Sequence, residues 1–503
     1  MIDTKVLREK ILDLAMRGKL VPQDPNDEPA SELLKRIKAE KEELIKQKKI
    51  KRDKNETEIF KGDDGLHYEK FADGTVKEIE VPYELPAGWE WAKVRNIAQA
   101  KGGKRVPKGM KLQEQVTGYP YLRVTDMKKR TILLDKLLYA SEEIHEKIKN
   151  YTITSDNVYL TIAGTIGLAG TVPRQLNGAL LTENALKLIL FPEVNQLFLV
   201  ETINAGVVQK QFATLFKQVA QPKLSIKSTN STLVPIPPKK EQIKIVSQIN
   251  RLNDQVDIIE KEQHDIQQLA TQLKQKVLDV AMQGKLVPQD PNDEPASVLL
   301  EKIRAEKQRL YEEGKIKKKD LVETELVKDG DNAYYGKLPK TWIKSKLFSV
   351  ANVIMGQSPK GNNVTSEFSL NAVEFHQGKS DFGEKFLNPS GKYTSQITKE
   401  IEIPSIVMSV RAPVGDVNLT RKTIVIGRGL AAIQPYGYSL EYLYHFLLTQ
   451  KSILEQQATG TTFKAIGGEV LRNLPIALPA EKEQIRIVNL INSVFEVESQ
   501  LMK

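Results

Sequence analysis

The stretch GKLVPQDPNDEPAS fills residues 18–31 and returns, letter for letter, at residues 284–297. The match extends in both directions. Upstream, LREKILDLAMRGKL (7–20) aligns with LKQKVLDVAMQGKL (273–286). Downstream, SELLKRIKAEKEELIKQKKIKRDK aligns with SVLLEKIRAEKQRLYEEGKIKKKD. A third block pairs LPAGWEWAKVRNIA (85–98) with LPKTWIKSKLFSVA (338–351), and a fourth pairs EQIKIVSQIN (241–250) with EQIRIVNLIN (483–492). The chain is two copies of one long unit. The offsets between copies run 266, 253 and 242, so the first copy carries 13 extra residues before its tryptophan and 11 more before its Glu-Gln pair. Such insertions usually fall in surface loops. Between the repeated blocks, residues 89–238 and 342–479 have diverged, sharing only landmarks such as TIAGTIG (161–167) against SVRAPVG (409–415). A symmetric scaffold carrying two different readers would need this division.

The repeated blocks read as helices. Ile249, Leu252, Val256, Ile259, Gln263, Ile266, Ala270, Leu273, Val277 and Val280 alternate steps of three and four, a heptad seam with one strongly polar member, Gln263. A lone polar seam residue fixes register at some cost in stability. Gly284, Pro288 and Pro291 end the helix, and VPQDPNDEP is a turn before a second helix starting near 295–297, its apolar face Leu299, Leu300, Ile303 and Leu310. Helix, turn and helix read as an antiparallel hairpin. QDPNDEP lacks the spacing of an EF-hand loop. Under the repeat offsets, the second copy of the long helix is split between the chain ends. Its seam runs Ile491, Val494, Leu501, then Thr4, Leu7, Ile11, Leu14, with Glu498 as a defect. The termini are therefore expected to meet and close a circular, pseudo-two-fold molecule. The seam and the apolar second helices call for partners to bury them.

Composition narrows the class. The 503 residues are too many for one ordinary core. Hydrophobic residues at 40% and charged residues at 27% describe a globular chain. No apolar run approaches a membrane span, and MIDTKVLREK has no signal-peptide core, so a cytoplasmic location is expected. The absence of cysteine excludes disulfides, thiolate metal sites and cysteine nucleophiles. The net charge of +10 suits a polyanion such as nucleic acid.

Each diverged segment opens with a tryptophan block and a Gly-rich basic loop, AKGGKRVPKGMK (100–111) and IMGQSPKGNN (354–363). Short apolar runs with glycine turns follow, and these read as strands. Each segment leaves through a helix, a loop and a proline-rich exit, so compact α/β domains with a mixed sheet are expected. Glycines let backbone approach a phosphate closely, and cations neutralise it. The candidate DNA contacts are Lys101, Lys104, Arg105 and Lys108, with Arg123, Lys223 and Lys227, in the first segment. In the second they are Lys360, Arg411 and Lys464, with Gln357, Asn362 and Asn363 as amides able to pair with adenine.

Catalytic signatures are missing. There is no GxxxxGK[ST] loop, no Gly-rich cofactor loop opening a helix, and no HExxH. Asn388-Pro389 is followed by Ser390, which breaks the Asn/Asp-Pro-Pro-aromatic pattern of amino-methyltransferases. Charge triplets such as Glu40–Glu42 are helix surface. No catalytic residue, metal site or cofactor is assigned to the chain.

At this point the chain resembles the DNA specificity subunit of Type I restriction–modification systems. The marks are the LRxKILDLAxxGKLVPQDPNDEPAS block, the LPxxW domain start, Gly356-Gln357-Ser358-Pro359, and the proline-rich exit before Glu-Gln and a long helix. The first domain departs from the pattern, with Gly102-Gly103-Lys104 in place of Gly-x-Ser/Thr-Pro. The resemblance implies two target-recognition domains, each reading one half of a bipartite, asymmetric double-stranded DNA site. It implies helices that set the spacer and dock two methyltransferase subunits, with restriction subunits joining through the complex. S-adenosylmethionine, ATP and magnesium would then sit on the partners. The expected fold is α+β: two α/β recognition domains joined by long antiparallel coiled-coil helices. The expected segments are a helical hairpin at 1–55, domains at 80–238 and 337–479, central helices at 239–320 and a C-terminal helix at 480–503. Two other readings share these features: the specificity chain of a two-component restriction–methylation enzyme cutting near its site, and a protein-only coiled-coil adaptor.

Overall fold

The repeated blocks supply helices α1 (Thr4–Met16), α2 (Ala30–Lys46), α3 (Lys239–Met282), α4 (Ala296–Glu312) and α5 (Glu481–Leu501). The computed structural model describes residues 1–216, 223–321, 338–460 and 464–501. Residue 337, the expected start of the second α/β domain, lies outside them. The chain divides into two compact units, residues 2–263 and residues 264 onward, and α3 runs through the boundary.

In the first unit α1 packs antiparallel on the first half of α3. Ile11, Leu12, Ala15 and Met16 share a core with Ile245, Val246, Ile249 and Val256. Arg8 reaches Asn253, Asp257 and Glu260 across the pair. The polar seam residue has a partner: the Ile2 amide donates to Gln263 Oε1 at 2.6 Å, and Gln263 Nε2 donates to the Ile2 carbonyl at 3.2 Å. Ile2 precedes α1 and both bonds are exposed, so Gln263 ties the start of the chain to α3 at the edge of the seam.

In the second unit α5 lies antiparallel on the later half of α3. Glu498, a defect in the seam by sequence, faces Lys274 at 2.8 Å. Lys274 occupies the repeat position of Arg8, so each half carries a cross-helix ion pair from that position, to acidic residues at different places. The seam is not closed throughout: Ile266 and Leu273 remain about half exposed, and Leu269 is 62% exposed.

In the second copy the expected hairpin shares one core, Leu278, Ala281 and Met282 of α3 with Leu299 and Ile303 of α4. In the first copy its two helices serve two cores. Ala30, Leu33 and Ile37 of α2 pack with Val94, Ile97 and Leu199 of the α/β domain, whereas α1 packs on α3. The turn between them explains the repeated letters. Gly18 and Gly284 end their helices in the left-handed region, at φ +64° and +68°, where glycine is favoured. A Cβ on Gly18 would also run into Pro86, and one on Gly284 into Pro339. Trp89 Nε1 donates to Glu241 at 2.9 Å, and Gln23 reaches the same carboxylate. In the second copy Trp342 Nε1 donates to Glu483 at 2.9 Å, joined by Gln289. Gln242 and Gln484 then accept from the amides of Asn195 and Ser439, each the cap of a domain helix. Turn, tryptophan block and Glu-Gln block thus meet at one joint between framework and α/β domain, side chain for side chain in both copies.

The α/β domains share one topology. Strands β1 (Ala98–Gly102), β2 (Asn157–Thr161), β3 (Ala169–Thr171) and β4 (Ala185–Leu190) form an antiparallel sheet in the order β3-β2-β4-β1. In the second domain β5 (Ala351–Met355), β6 (Ile406–Ser409), β7 (Val417–Leu419) and β8 (Leu430–Pro435) follow the order β7-β6-β8-β5. A smaller sheet beside each contains one parallel pairing, Leu180 with Tyr121 and Phe375 with Val425. The central strand is buried on both faces because alternate residues serve two cores. Val158 and Leu160 face one and Tyr159 the other, as do Ile406 and Met408 against Val407. Entry and exit strands pair, Glu90–Lys93 with Leu233–Ile236 and Ile343–Lys346 with Pro475–Leu478. The longer stretch before Trp89 is no simple loop: it folds as a three-stranded meander of Thr57–Lys61, His67–Phe71 and Val76–Glu78. Among the described residues no helix is long and apolar enough to cross a membrane.

Candidate nucleic-acid interface

The chain leaves β1 and β5 through a glycine that only glycine can be. A Cβ on Gly103 would lie less than 3 Å from the carbonyl oxygens of Thr182 and Leu181, and one on Gly356 less than 3 Å from those of Gly427 and Leu430. The backbone around them is the same in both domains. Gly103 N donates to Ala185 O at 3.2 Å, and Gly356 N to Leu430 O at 2.9 Å. Lys104 N donates to Leu181 O at 2.8 Å, and Gln357 N to Ile426 O at 3.0 Å. Ile162 N donates to Asn184 O at 2.8 Å, and Val410 N to Gly429 O at 2.9 Å. Leu224 N donates to Ile162 O at 3.1 Å, and Ile466 N to Val410 O at 3.0 Å. Four segments from distant parts of the sequence are tied into one crossing at the end of each sheet. The first domain's departure from Gly-x-Ser/Thr-Pro is therefore one of side chains: Gly103, Lys104 and Arg105 stand where Gly356, Gln357 and Ser358 stand.

The crossings gather part of the expected set. In the first domain Lys104 and Arg105 are exposed on the loop, and Lys223 is exposed beside Leu224. Lys104 Nζ lies 5.6 Å from the Tyr151 ring centre, and Tyr121 Oη donates to the Lys104 carbonyl. Lys108 is exposed further along the same loop, and Lys227 lies on the following short helix. Lys101 is on β1 opposite Lys187 of β4. Burial and the Lys101 charge push the Lys187 amine below its usual range, and Lys187 donates to the Thr152 carbonyl.

Two of the cations already have partners. Arg105 Nε pairs with Glu183 at 2.6 Å. Burial raises the Glu183 carboxyl, but the Arg105 guanidinium outweighs it and holds the group below the ordinary carboxylate range. Arg123 is committed to Asp126 at 2.7 Å and to the Lys136 carbonyl at 2.7 Å, which weighs against a phosphate contact.

In the second domain Gln357, Arg411 and Lys464 are exposed at the crossing. Arg411 forms a bridge with Ala465, and Ala412 N donates to Lys464 O at 2.9 Å, so the two cations are neighbours. Lys360 is exposed, its amide and Asn363 Nδ2 both donating to Gln396 Oε1. Asn363 thereby holds the turn, and Asn362 and Asn363 are both exposed. Sequence reasoning passed over Arg428, which is exposed between Gly427 and Gly429 at the heart of the crossing. The available signal was an arginine between glycines, IGRGL, joining two apolar runs. Among the described residues no cluster of three His, Asp or Glu suits a metal ion.

A family model described as Type I restriction modification DNA specificity domain matches residues 86–268 and 339–503. The Type I restriction enzyme EcoAI specificity subunit of Escherichia coli is 30% identical over 72% of this chain and 65% of its own length. This chain thus spans just under two thirds of that relative. The EcoEI specificity subunit of Escherichia coli is 28% identical over 99% of this chain and 90% of its own. The HsdS subunit from Thermoanaerobacter tengcongensis has the same fold, with a TM-score of 0.52 and 23% identity over 84% of this chain and 93% of that one. A chain solved in work on complex assembly and conformational transition of the type I R-M system matches over the same shares, with a TM-score of 0.57 and 23% identity.

Proposed function

Because the chain belongs to the family of Type I restriction–modification DNA specificity subunits, we propose that it is the non-catalytic chain that selects the DNA sequence for such a complex. Each α/β domain contacts one half of a bipartite site through its crossing. The observation that carries this is the pair of crossings: the same backbone bonds present Lys104, Arg105 and Glu183 in one domain and Gln357, Ser358 and Arg428 in the other. A fixed frame with exchanged side chains is what two readers of different sequences require, so the site is asymmetric. Exposed cations supply salt-dependent affinity through phosphates, and side chains at the groove edges choose bases.

The framework helices dock two methyltransferase subunits, and restriction subunits join through them. This is supported by an apolar groove in the second unit, where Ile266, Leu269, Ala270 and Leu273 of α3 face Val494, Val497 and Leu501 of α5. Val497 is 57% exposed and Leu501 77%. Ile2, Val6 and Ile258 are likewise exposed on the first unit. Exposed contiguous apolar surface marks an interaction site. The chemistry, with its S-adenosylmethionine, ATP and magnesium, lies on those partners, and the complex works in the cytoplasm. Mapping N6-methyladenine across the genome, with and without this chain, tests the reading. A two-part asymmetric motif that vanishes with the chain is expected. Unchanged methylation in cells with active partner subunits would overturn it.

A further inference from the structure

The central segment of each crossing joins two strands: Thr182-Glu183-Asn184 in the first domain and Gly427-Arg428-Gly429 in the second. Thr182 N donates to Leu122 O at 3.1 Å and Gly427 N to His376 O at 2.8 Å, so the two segments start from equivalent anchors. In the first domain Glu183 is tied to Arg105. In the second, serine stands at the place of Arg105, and Ser358 Oγ accepts from the Arg428 backbone amide at 3.2 Å instead of engaging the side chain. The Arg428 guanidinium is exposed and forms no ion pair with a described residue.

Its backbone is locked from both sides. A Cβ on Gly427 would press on Ser358 Oγ at 3.0 Å and Gln377 Cα at 3.1 Å, and one on Gly429 on the Gln377 carbonyl. Gly429 O is held by Val410 N. With the backbone fixed, binding a planar partner has to order only the arginine side chain. Arg411 and Lys464 stand on the adjoining strand ends. They supply cations for phosphates beside it.

Resting on the function proposed above, we infer that Arg428 reads a base in the half-site of the second domain, and that the base is guanine. The guanidinium fork matches O6 and N7 of guanine in the major groove, and a lysine at that place keeps the charge on a compact ammonium without the planar fork. The equivalent position of the first domain presents a carboxylate already paired with Arg105. It reads its half-site by other groups, which gives the two halves different sequences on one frame.

The test maps the methylated motif in cells carrying the full complex with wild-type chain, Arg428→Lys or Arg428→Ala. Arg428→Ala is expected to lose guanine preference at one position of one half-site by about tenfold or more, and Arg428→Lys to lose part of it, with the other half-site unchanged. An unchanged motif overturns the inference. So does uniform weakening across the half-site with a smaller salt dependence, the mark of a phosphate contact. Should Arg428→Ala abolish methylation altogether, Arg428→Lys decides by the same criteria. A wild-type chain that directs no motif overturns the functional reading itself, and is told apart because the failure precedes any substitution.

Discussion

Two regions of this molecule are repeated in different ways. At the joint between framework and domain, the copies agree in side chains: Gln23, Trp89 and Glu241 in one, Gln289, Trp342 and Glu483 in the other. At the crossing they agree only in backbone bonds, while the side chains change size and even sign, Glu183 against Arg428. The joint carries a mechanical task that is equal in both halves. The crossing carries a reading task that differs. Side-chain identity is kept where the work is the same, and only the frame is kept where the work diverges.

The sharpest way to break this comparison is on the framework. A charge placed in the groove, as in Leu269→Glu combined with Val497→Glu, is expected to weaken methyltransferase binding about 100-fold, or about 3 kcal/mol, as loss of a central apolar contact does. The melting temperature of the isolated chain should hardly move, since both residues are exposed. Sedimentation with the partner subunit measures it, and undiminished binding would remove the groove from the interface. Next in size is the frame of the crossing. Gly356→Ala and Gly103→Ala should each cost about 1–3 kcal/mol by overpacking against carbonyl oxygens. Gly361→Ala, where a Cβ meets nothing within 4 Å, should stay within about 0.5 kcal/mol. Thermal melts decide this, and equal costs at all three positions would mean that the crossings are not held by close approach.

A smaller effect concerns the cations of the first crossing. Replacing Lys101, Lys104 and Arg105 together with alanine should lower the salt slope of DNA binding by about two units rather than three, at about 0.9 per phosphate contact. The missing unit is Arg105, whose charge Glu183 already offsets. An unchanged slope would remove these residues from the interface.

The framework was legible because helices announce themselves locally. The seam ran from Ile249 to Val280 with Gly284 as its stop, and α3 spans Lys239–Met282. The glycines of the two loops were read as letting backbone approach a phosphate, whereas Gly103 and Gly356 lie against carbonyl oxygens of the chain itself. Arg428 and Glu183 were missed because their position depends on which strand ends meet, a fact of tertiary structure. The commitments of Arg105 and Arg123 were hidden for a related reason. Glu183 is 78 residues from Arg105, and the Lys136 carbonyl reaches Arg123 only when the loop folds back. The joint was half legible: its blocks stood out as repeats, but nothing in one dimension said that turn, tryptophan and glutamate touch.

The joint carries a prediction that tests whether that region is mechanical. Glu241 and Glu483 are 2% and 1% exposed, and burial raises both carboxyls above the ordinary range, although the tryptophan N–H bonds pull the other way. A raised folded-state pKa means that the folded chain holds the proton more tightly than the unfolded one. The stability tied to that proton is fully present below the ordinary carboxylate pKa and is lost as pH rises through the raised value. Glutamine keeps an oxygen for the tryptophan N–H and does not titrate. Melting curves of wild type and Glu483→Gln should therefore diverge with pH, the variant gaining relative to wild type as pH rises from the acid side through the carboxylate range toward neutrality. A pH-independent difference would mean that Glu483 is not strained by burial. Trp342→Phe gives the scale of the same contact, since losing a hydrogen bond to a buried carboxylate costs about 1.5–3 kcal/mol. If that loss moves stability but leaves the methylated motif intact, the joint holds the domain without taking part in reading.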